Sequence, residues 1–251
     1  MKTPKIRLDE LLVERGLAEN AARAQAIVMA GLVFCGEQKL TSSGGKVAAD
    51  IAVTVRGAEH PWVSRGGLKL AHGLAHFPFD PKDRICLDLG SSTGGFTDVL
   101  LTHGAAKVYA VDVGYGQLAH KLRTDPRVVV LERTNARLLD RSHVSEDVGA
   151  VVCDASFIGL RSVLPAAMAL TTPNAWLIAL IKPQFEVAKD QVGEKGVVRD
   201  PALHAEVSDM ISTWMNAQPG WRVHGVTKSP ITGPEGNVEF LIGAARSADA
   251  A

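Results

Sequence analysis

Residues 86–96 read Cys-Leu-Asp-Leu-Gly-Ser-Ser-Thr-Gly-Gly-Phe, an apolar strand that runs into a glycine-rich turn and then a helix start. Glycines in such a turn let the backbone approach a ligand, and the amides opening the next helix favour a negative group such as a carboxylate. Asp88, Gly90, Ser91, Ser92, Thr93, Gly94 and Gly95 are therefore candidate cofactor-binding residues. Taken alone, a turn of this kind also serves plain turn geometry.

The next strand ends Tyr109-Ala110-Val111-Asp112, with Val113 after it. Its carboxylate falls about 20 residues beyond the glycine turn, where it can bind the two hydroxyls of a ribose. The pairing suits an adenosine-containing cofactor. A dinucleotide is the competitor, but Gly90-x-x-x-Gly94-Gly95 is not the G-x-G-x-x-G turn that accommodates a pyrophosphate.

Outward from this motif, strands are expected at 85–89, 108–111, 128–131, 148–153, 175–181, 223–226 and 238–242. Regular alternation of strand and helix predicts the α/β class, a mostly parallel seven-stranded sheet with helices on both faces. Ligands of open α/β sheets bind beyond the carboxyl ends of the strands. Four charged residues fall at or near that edge. Asp154 and Lys182 end adjacent strands, Glu239 is expected in the last strand, and Lys69 on a helix leading into the first. Singly, each reads equally as half of an ordinary ion pair at a sheet end. Together they point to catalysis. A lysine accepts a proton only when neutral, a state that burial and a second ammonium favour. Lys182 is accordingly the candidate base, with Lys69 as the neighbour that favours its neutral form.

The N-terminal pattern is different. Leu8, Leu11 and Leu12 recur at helical spacing up to Gly16, and Asn20 caps a second helix through Ala30. Leu32-Val33-Phe34 and Ile51–Val55 read as strands. The expected organisation is a small α+β domain over 1–58, a linker at 59–63, the α/β domain over 64–246 and a tail at 247–251, the chain from Ala245 onward reading as frayed.

Composition narrows the classes. Lysine plus arginine equals aspartate plus glutamate at 27 each, so a nucleic-acid surface must come from local clustering. Cys35, Cys86 and Cys153 lie far apart in apolar runs, without metal or redox spacing, and read as packing residues of a reducing, cytoplasmic compartment; no metal is expected. The opening MKTPKIRLDELL has no secretory pattern. The apolar stretch Ala175–Ile181 is far short of a bilayer span.

The segments VSRGGLKL, CLDLGSSTGGFTD, VDVGYGQL, ERTNAR, CDASFI, IKPQFE, VGEKGVVRDP and SPITGPEGNVEF closely resemble the TlyA family, in the same order over nearly the whole chain. Its members are ribosomal RNA 2′-O-methyltransferases related to FtsJ-type enzymes, some labelled haemolysins. The resemblance implies a Rossmann-like class I methyltransferase domain, S-adenosylmethionine as cofactor, ribosomal RNA or ribosomal subunits as partner, and an N-terminal S4-like RNA-binding domain. It implies the catalytic tetrad Lys69, Asp154, Lys182 and Glu239, and adenine contacts at Asn135-Ala136, with Asp154 also near the methionine moiety. The S4 match is looser: Asn20-Ala21 stands where Ser-Arg is usual, and Cys35-Gly36 where Asn-Gly is. Arg7, Arg15, Arg23, Lys39, Lys46 and Arg65 remain as candidate RNA contacts, each also readable as ordinary surface charge. The long loop from Gln184 to Arg199, with Glu186, Lys189, Glu194 and Lys195, suits a substrate-facing lid or a merely variable surface loop. A monomer is expected. A catalytically inactive ribosome-assembly factor and a membrane-acting cytolysin are the competing readings, the intact tetrad speaking against the first and the absence of an apolar span against the second.

Overall fold

The computed structural model describes residues 4–18, 20–56 and 60–247. The chain divides into two compact units, Met1–Pro61 and Trp62–Ala251. The first residue of the expected linker and the tail from 248 lie outside the described residues.

The first unit runs β1 (Lys5–Arg7), α1 (Leu8–Glu14), α2 (Ala21–Met29), β2 (Val33–Cys35), β3 (Gln38–Lys39), β4 (Lys46–Ala48) and β5 (Thr54–Val55). Leu8, Leu12, Ala24, Ile27, Val28 and Val33 form its core, so the helical spacing of the leucines is what buries α1 against α2. Asn20 caps α2 as expected, its Oδ1 accepting from the Arg23 amide at 2.9 Å. Three strands escape the periodicity, one of them β3, two residues long and paired with β2. Strands β1 and β4 are three residues each and pair antiparallel, Ile6 opposite Val47, too short to show a repeat. Strand β5 covers two residues of the five expected.

The second unit opens with α3 (Gly66–His76), β6 (Ile85–Leu89), α4 (Gly95–Thr102), β7 (Lys107–Val111), α5 (His120–Arg123), β8 (Val128–Leu131) and β9 (Val148–Cys153). It continues with α6 (Leu160–Met168), β10 (Thr171–Ile181), α7 (Pro201–Asn216), β11 (Trp221–Lys228) and β12 (Phe240–Arg246). The seven strands lie in the order β11-β12-β10-β9-β6-β7-β8. All pairings from β10 to β8 are parallel, and β12 runs antiparallel to both neighbours. Successive strand residues face opposite sides: Leu87 and Leu89 pack with α6 and α7, while Cys86 packs with α3 and α4. Helix α7 starts on a side-chain cap, Asp200 Oδ1 accepting from Ala202 N at 2.9 Å, with Pro201 at its first position.

Several boundaries differ from expectation: β7 and β10 begin earlier, at Lys107 and Thr171, β11 is longer at both ends, and the last strand is shifted. Val238 and Glu239 precede the last strand, because the turn at 233–237 is closed by Gly233 N donating to Asn237 O before pairing with β10 begins at Phe240. The same strand continues through Ala245 and Arg246, opposite Trp176 and Trp221, so these two residues are paired strand and not frayed tail. Burial drives the thiols of Cys86 and Cys153 up to about 12, consistent with packing roles. The chain order of the sheet reverses direction between β6 and β9, and the carboxyl ends of these neighbours open the crevice described next.

Candidate active site

The turn after β6 and the chain after β9 meet at Gly90. Its φ of +79° is one that side-chain-bearing residues rarely adopt, and a Cβ there would stand 2.8 Å from Ala155 Cα. Glycine thus lets the ends of the two strands close on each other. Gly95 does the same between helices, since its Cβ would meet Gly67 N at 2.8 Å.

Beyond these ends lie two cavities. One, of about 510 Å³, is lined by Val111, Asp112, Val113, Thr134, Asn135, Ala136, Ile158 and Val163 among others. The second, of about 640 Å³, is lined by Arg65, Lys69, Ser91, Thr93, Gly95, Gln184, Lys195 and Glu239 among others. Gly90, Ser92, Asp154, Ser156 and Phe157 border both, so the two are parts of one crevice.

In the first cavity, Asp112 is held from two sides. Ser92 N donates to its Oδ2 at 2.8 Å and Gly114 N to its Oδ1 at 2.7 Å. A carboxylate oxygen has lone pairs for more than one donor, so both remain available to ligand hydroxyls. Asn135 Oδ1 accepts from Arg137 N at 3.1 Å, which shapes the wall at Ala136.

In the second cavity, the four charges predicted from strand order converge. Lys182 Nζ lies 2.7 Å from Asp154 Oδ1 and donates to the Asp154 carbonyl at 3.0 Å and to Ser156 Oγ at 2.8 Å. Lys69 Nζ lies 2.7 Å from Glu239 Oε2 and 3.4 Å from Asp154 Oδ2. Lys69, Lys182 and Glu239 are buried, and Asp154 is the most open of the four at 19% side-chain exposure. The carboxylate of Asp154 is shared by the two lysines, so the carboxylate that strand order puts beside Lys182 also meets Lys69.

Two expected cofactor residues do not face the crevice. Asp88 is fully buried on the α4 side of β6, where its Oδ2 accepts from Thr97 Oγ1 at 2.7 Å. Burial drives its carboxyl up to about 7. Gly94 borders neither cavity; at φ +95° it turns the chain into α4 against Leu118 and Leu122. The strand-turn-helix reading is right in outline, and period-2 alternation along β6 is the signal that puts Asp88 beneath the site.

Other residues lie where spacing gave no hint. Phe157 is 91% exposed at φ +65°, bordering both cavities with Phe185 at 5.3 Å. Glu186, expected to face substrate from the long loop, instead accepts from Leu160 N at 2.6 Å and caps the start of α6, and burial raises its carboxyl. That loop is built from three short turns, 183–185, 189–191 and 194–196. In the first unit, Arg7 is held by Asp9 at 2.7 Å, and Arg15 donates to the carbonyls of Ala49 and Ile51 at 2.6 Å. Arg23, Lys39 and Lys46 are exposed.

Residues 62–246, which carry this carboxylate, tetrad and glycine turn, match the model of the FtsJ-like methyltransferases. The chain belongs to that family. This FtsJ-like methyltransferase is 50% identical to "Putative rRNA methyltransferase YqxC" of Bacillus subtilis, over 96% of its own length and 86% of that protein's. It is 48% identical to the 16S/23S rRNA (cytidine-2'-O)-methyltransferase TlyA of Mycobacterium tuberculosis, over 95% and 89% of the two chains. Among solved structures, the "Putative hemolysin" of Streptococcus thermophilus superposes with a TM-score of 0.74 at 39% identity, covering 98% of this chain and 90% of that one. Among the described residues of the FtsJ-like methyltransferase, no helix is long and apolar enough to cross a membrane.

Proposed function

We propose that this chain methylates the ribose 2′-hydroxyl of a cytidine in ribosomal RNA, with Lys182 as general base. The observation that carries the reading is the buried Lys69-Asp154-Lys182-Glu239 cluster at the joined cavities, in a chain 48% identical to a TlyA enzyme named for that reaction.

S-adenosylmethionine fits the crevice. Asp112 is available to the two ribose hydroxyls, Asn135, Ala136 and Ile158 line a partly apolar slot for adenine, and the Gly90–Gly95 turn leads to Asp154 for the methionine end. When bound, this cofactor supplies an electrophilic methyl group on a sulfonium sulfur. The protein's own task is to hold the hydroxyl in line and to remove its proton.

Lys182 lines the second cavity and is held by Asp154 and Ser156, which border both. Its three acceptors are Asp154 Oδ1, Asp154 O and Ser156 Oγ. A neutral amine keeps two of these contacts and turns its lone pair to the hydroxyl, and Ser156, exposed on the crevice, is the partner it gives up most easily. Lys69 and Glu239 hold Asp154 in register, so Lys182 receives the proton at a fixed place. Phe157 offers an exposed face on which a nucleobase can stack.

Residues 1–58, within the first unit, act as an S4-like RNA-binding domain, with 64–246 as the methyltransferase domain. Arg23, Lys39 and Lys46 contact phosphates, while Arg7 and Arg15 hold the unit together. The protein works as a cytoplasmic monomer on ribosomal RNA or subunits.

The test is methyl transfer from labelled S-adenosylmethionine to unmodified 16S and 23S RNA, followed by nucleoside mass spectrometry. The expected product is 2′-O-methylcytidine. No incorporation into any ribosomal RNA or subunit, with cofactor binding intact, contradicts the reading.

A further inference from the structure

Lys195 stands in the left-handed region at φ +60°, ψ 21°, followed by Gly196 at φ +75°. A lysine rarely adopts that conformation, and such strain persists only where surrounding contacts impose it. The side chain is exposed and borders the tetrad cavity. Among the described residues it has no ion pair or hydrogen bond.

The chain on the C-terminal side of Lys195 is anchored by Asn237, which is 1% exposed. Its Nδ2 donates to Gly196 O at 2.9 Å and its Oδ1 accepts from Val198 N at 3.0 Å. Val197 and Val198 are buried beside it, and Val198 O meets His204 Nε2 at 2.9 Å. Asn237 O accepts from Gly233 N at 2.9 Å, and Glu239 of the tetrad lies two residues on. One buried amide therefore joins the loop bearing Lys195 to the loop bearing Glu239.

We infer that Lys195 contacts a backbone phosphate of the RNA at the mouth of the tetrad cavity, and that Asn237 is the positioning residue that sets it there. This rests on the RNA reading above. Inside the cavity, Lys69 and Lys182 are each committed to carboxylates. Among the described lining residues, Arg65 and Lys195 are the cations without an ion pair, and both are exposed at the rim. A ribose entering the cavity brings a phosphodiester on either side, and only rim cations are free to meet one. Glu235, exposed on the same rim, repels any phosphate that lacks a direct cation contact.

The test measures binding of unmodified 16S and 23S transcripts over a salt series, together with steady-state methyl transfer. Lys195→Ala is expected to lower the slope of log K against log salt by about 1. It should also raise KM for RNA roughly fivefold to tenfold, with kcat and cofactor affinity near wild type. Asn237→Ala is expected to lose the same slope, and the double variant to be no weaker in RNA binding than Lys195→Ala. Asn237→Asp, which keeps the acceptor but not the donor to Gly196 O, serves if the alanine variant does not fold. An unchanged slope in Lys195→Ala, or fully additive losses in the double variant, overturns the inference. Absence of wild-type transfer to either transcript strikes instead at the proposed reaction.

Discussion

Lys182 grips Asp154 twice, through the carboxylate at 2.7 Å and through the same residue's carbonyl at 3.0 Å. The doubled contact fixes an amine at the carboxyl end of β10 against the end of β9. It also separates placement from charge. Lys182→Arg keeps a cation and loses the compact ammonium, and a guanidinium is not deprotonated in proteins. That variant should therefore bind cofactor normally and transfer no better than Lys182→Ala.

Asp112 draws the amides of Ser92 and Gly114 toward one carboxylate. Asp112→Ala should weaken S-adenosylmethionine binding by about 10- to 100-fold, since it removes the acceptor proposed for ribose hydroxyls and leaves two backbone donors unpaired. Calorimetric titration checks this, and a loss under threefold would contradict the assignment.

Phe157 combines exposure with left-handed backbone. Phe157→Gly relieves the conformation and removes the aromatic face, so the melting temperature should hold or rise while KM for RNA increases. A fall in stability with unchanged KM would make the ring a packing element.

Asp88 has a carboxyl raised from 3.8 to about 7, chiefly by burial. A raised folded-state value favours the folded state below about pH 4, and that contribution is lost as pH rises through about 7. Asp88→Asn should remove this dependence, so the variant gains stability relative to wild type between pH 4 and pH 7 while Thr97 keeps a partner. Thermal melts across that range check the sign.

Arg15 ties α1 to the carbonyls of Ala49 and Ile51. Arg15→Ala should lower the unfolding midpoint of the first unit, whereas Arg23→Ala and Lys46→Ala should leave it unchanged and weaken RNA binding. Limited proteolysis and filter binding distinguish the two outcomes.

Much of the second unit was legible because its signals are long-range and redundant. Seven apolar runs, with a helix between most of them, leave few topologies, and those topologies bring Asp154 and Lys182 to one sheet edge. What escaped has a local cause. Asp88 sits in a motif that suggests a ligand residue, yet alternation along a five-residue strand turns it away from the crevice. Glu186 looked like a lid charge because a cap made 26 residues away in sequence leaves no trace in spacing. Glu239 reads as strand although the strand starts one residue later, since the turn closed by Asn237 is specified by backbone hydrogen bonds. In the first unit, strands of two and three residues carry no detectable period.

If this tetrad serves methylation of a ribose hydroxyl, the product resists alkaline hydrolysis, because a 2′-O-methyl group blocks backbone cleavage. Unmodified 16S and 23S RNA would be incubated with S-adenosylmethionine and either wild-type protein or Lys182→Ala, then hydrolysed and mapped. A resistant position at a cytidine is expected with wild type and none with the variant. Methyl incorporation without any resistant position, or equal resistance from both proteins, would contradict this role of the tetrad.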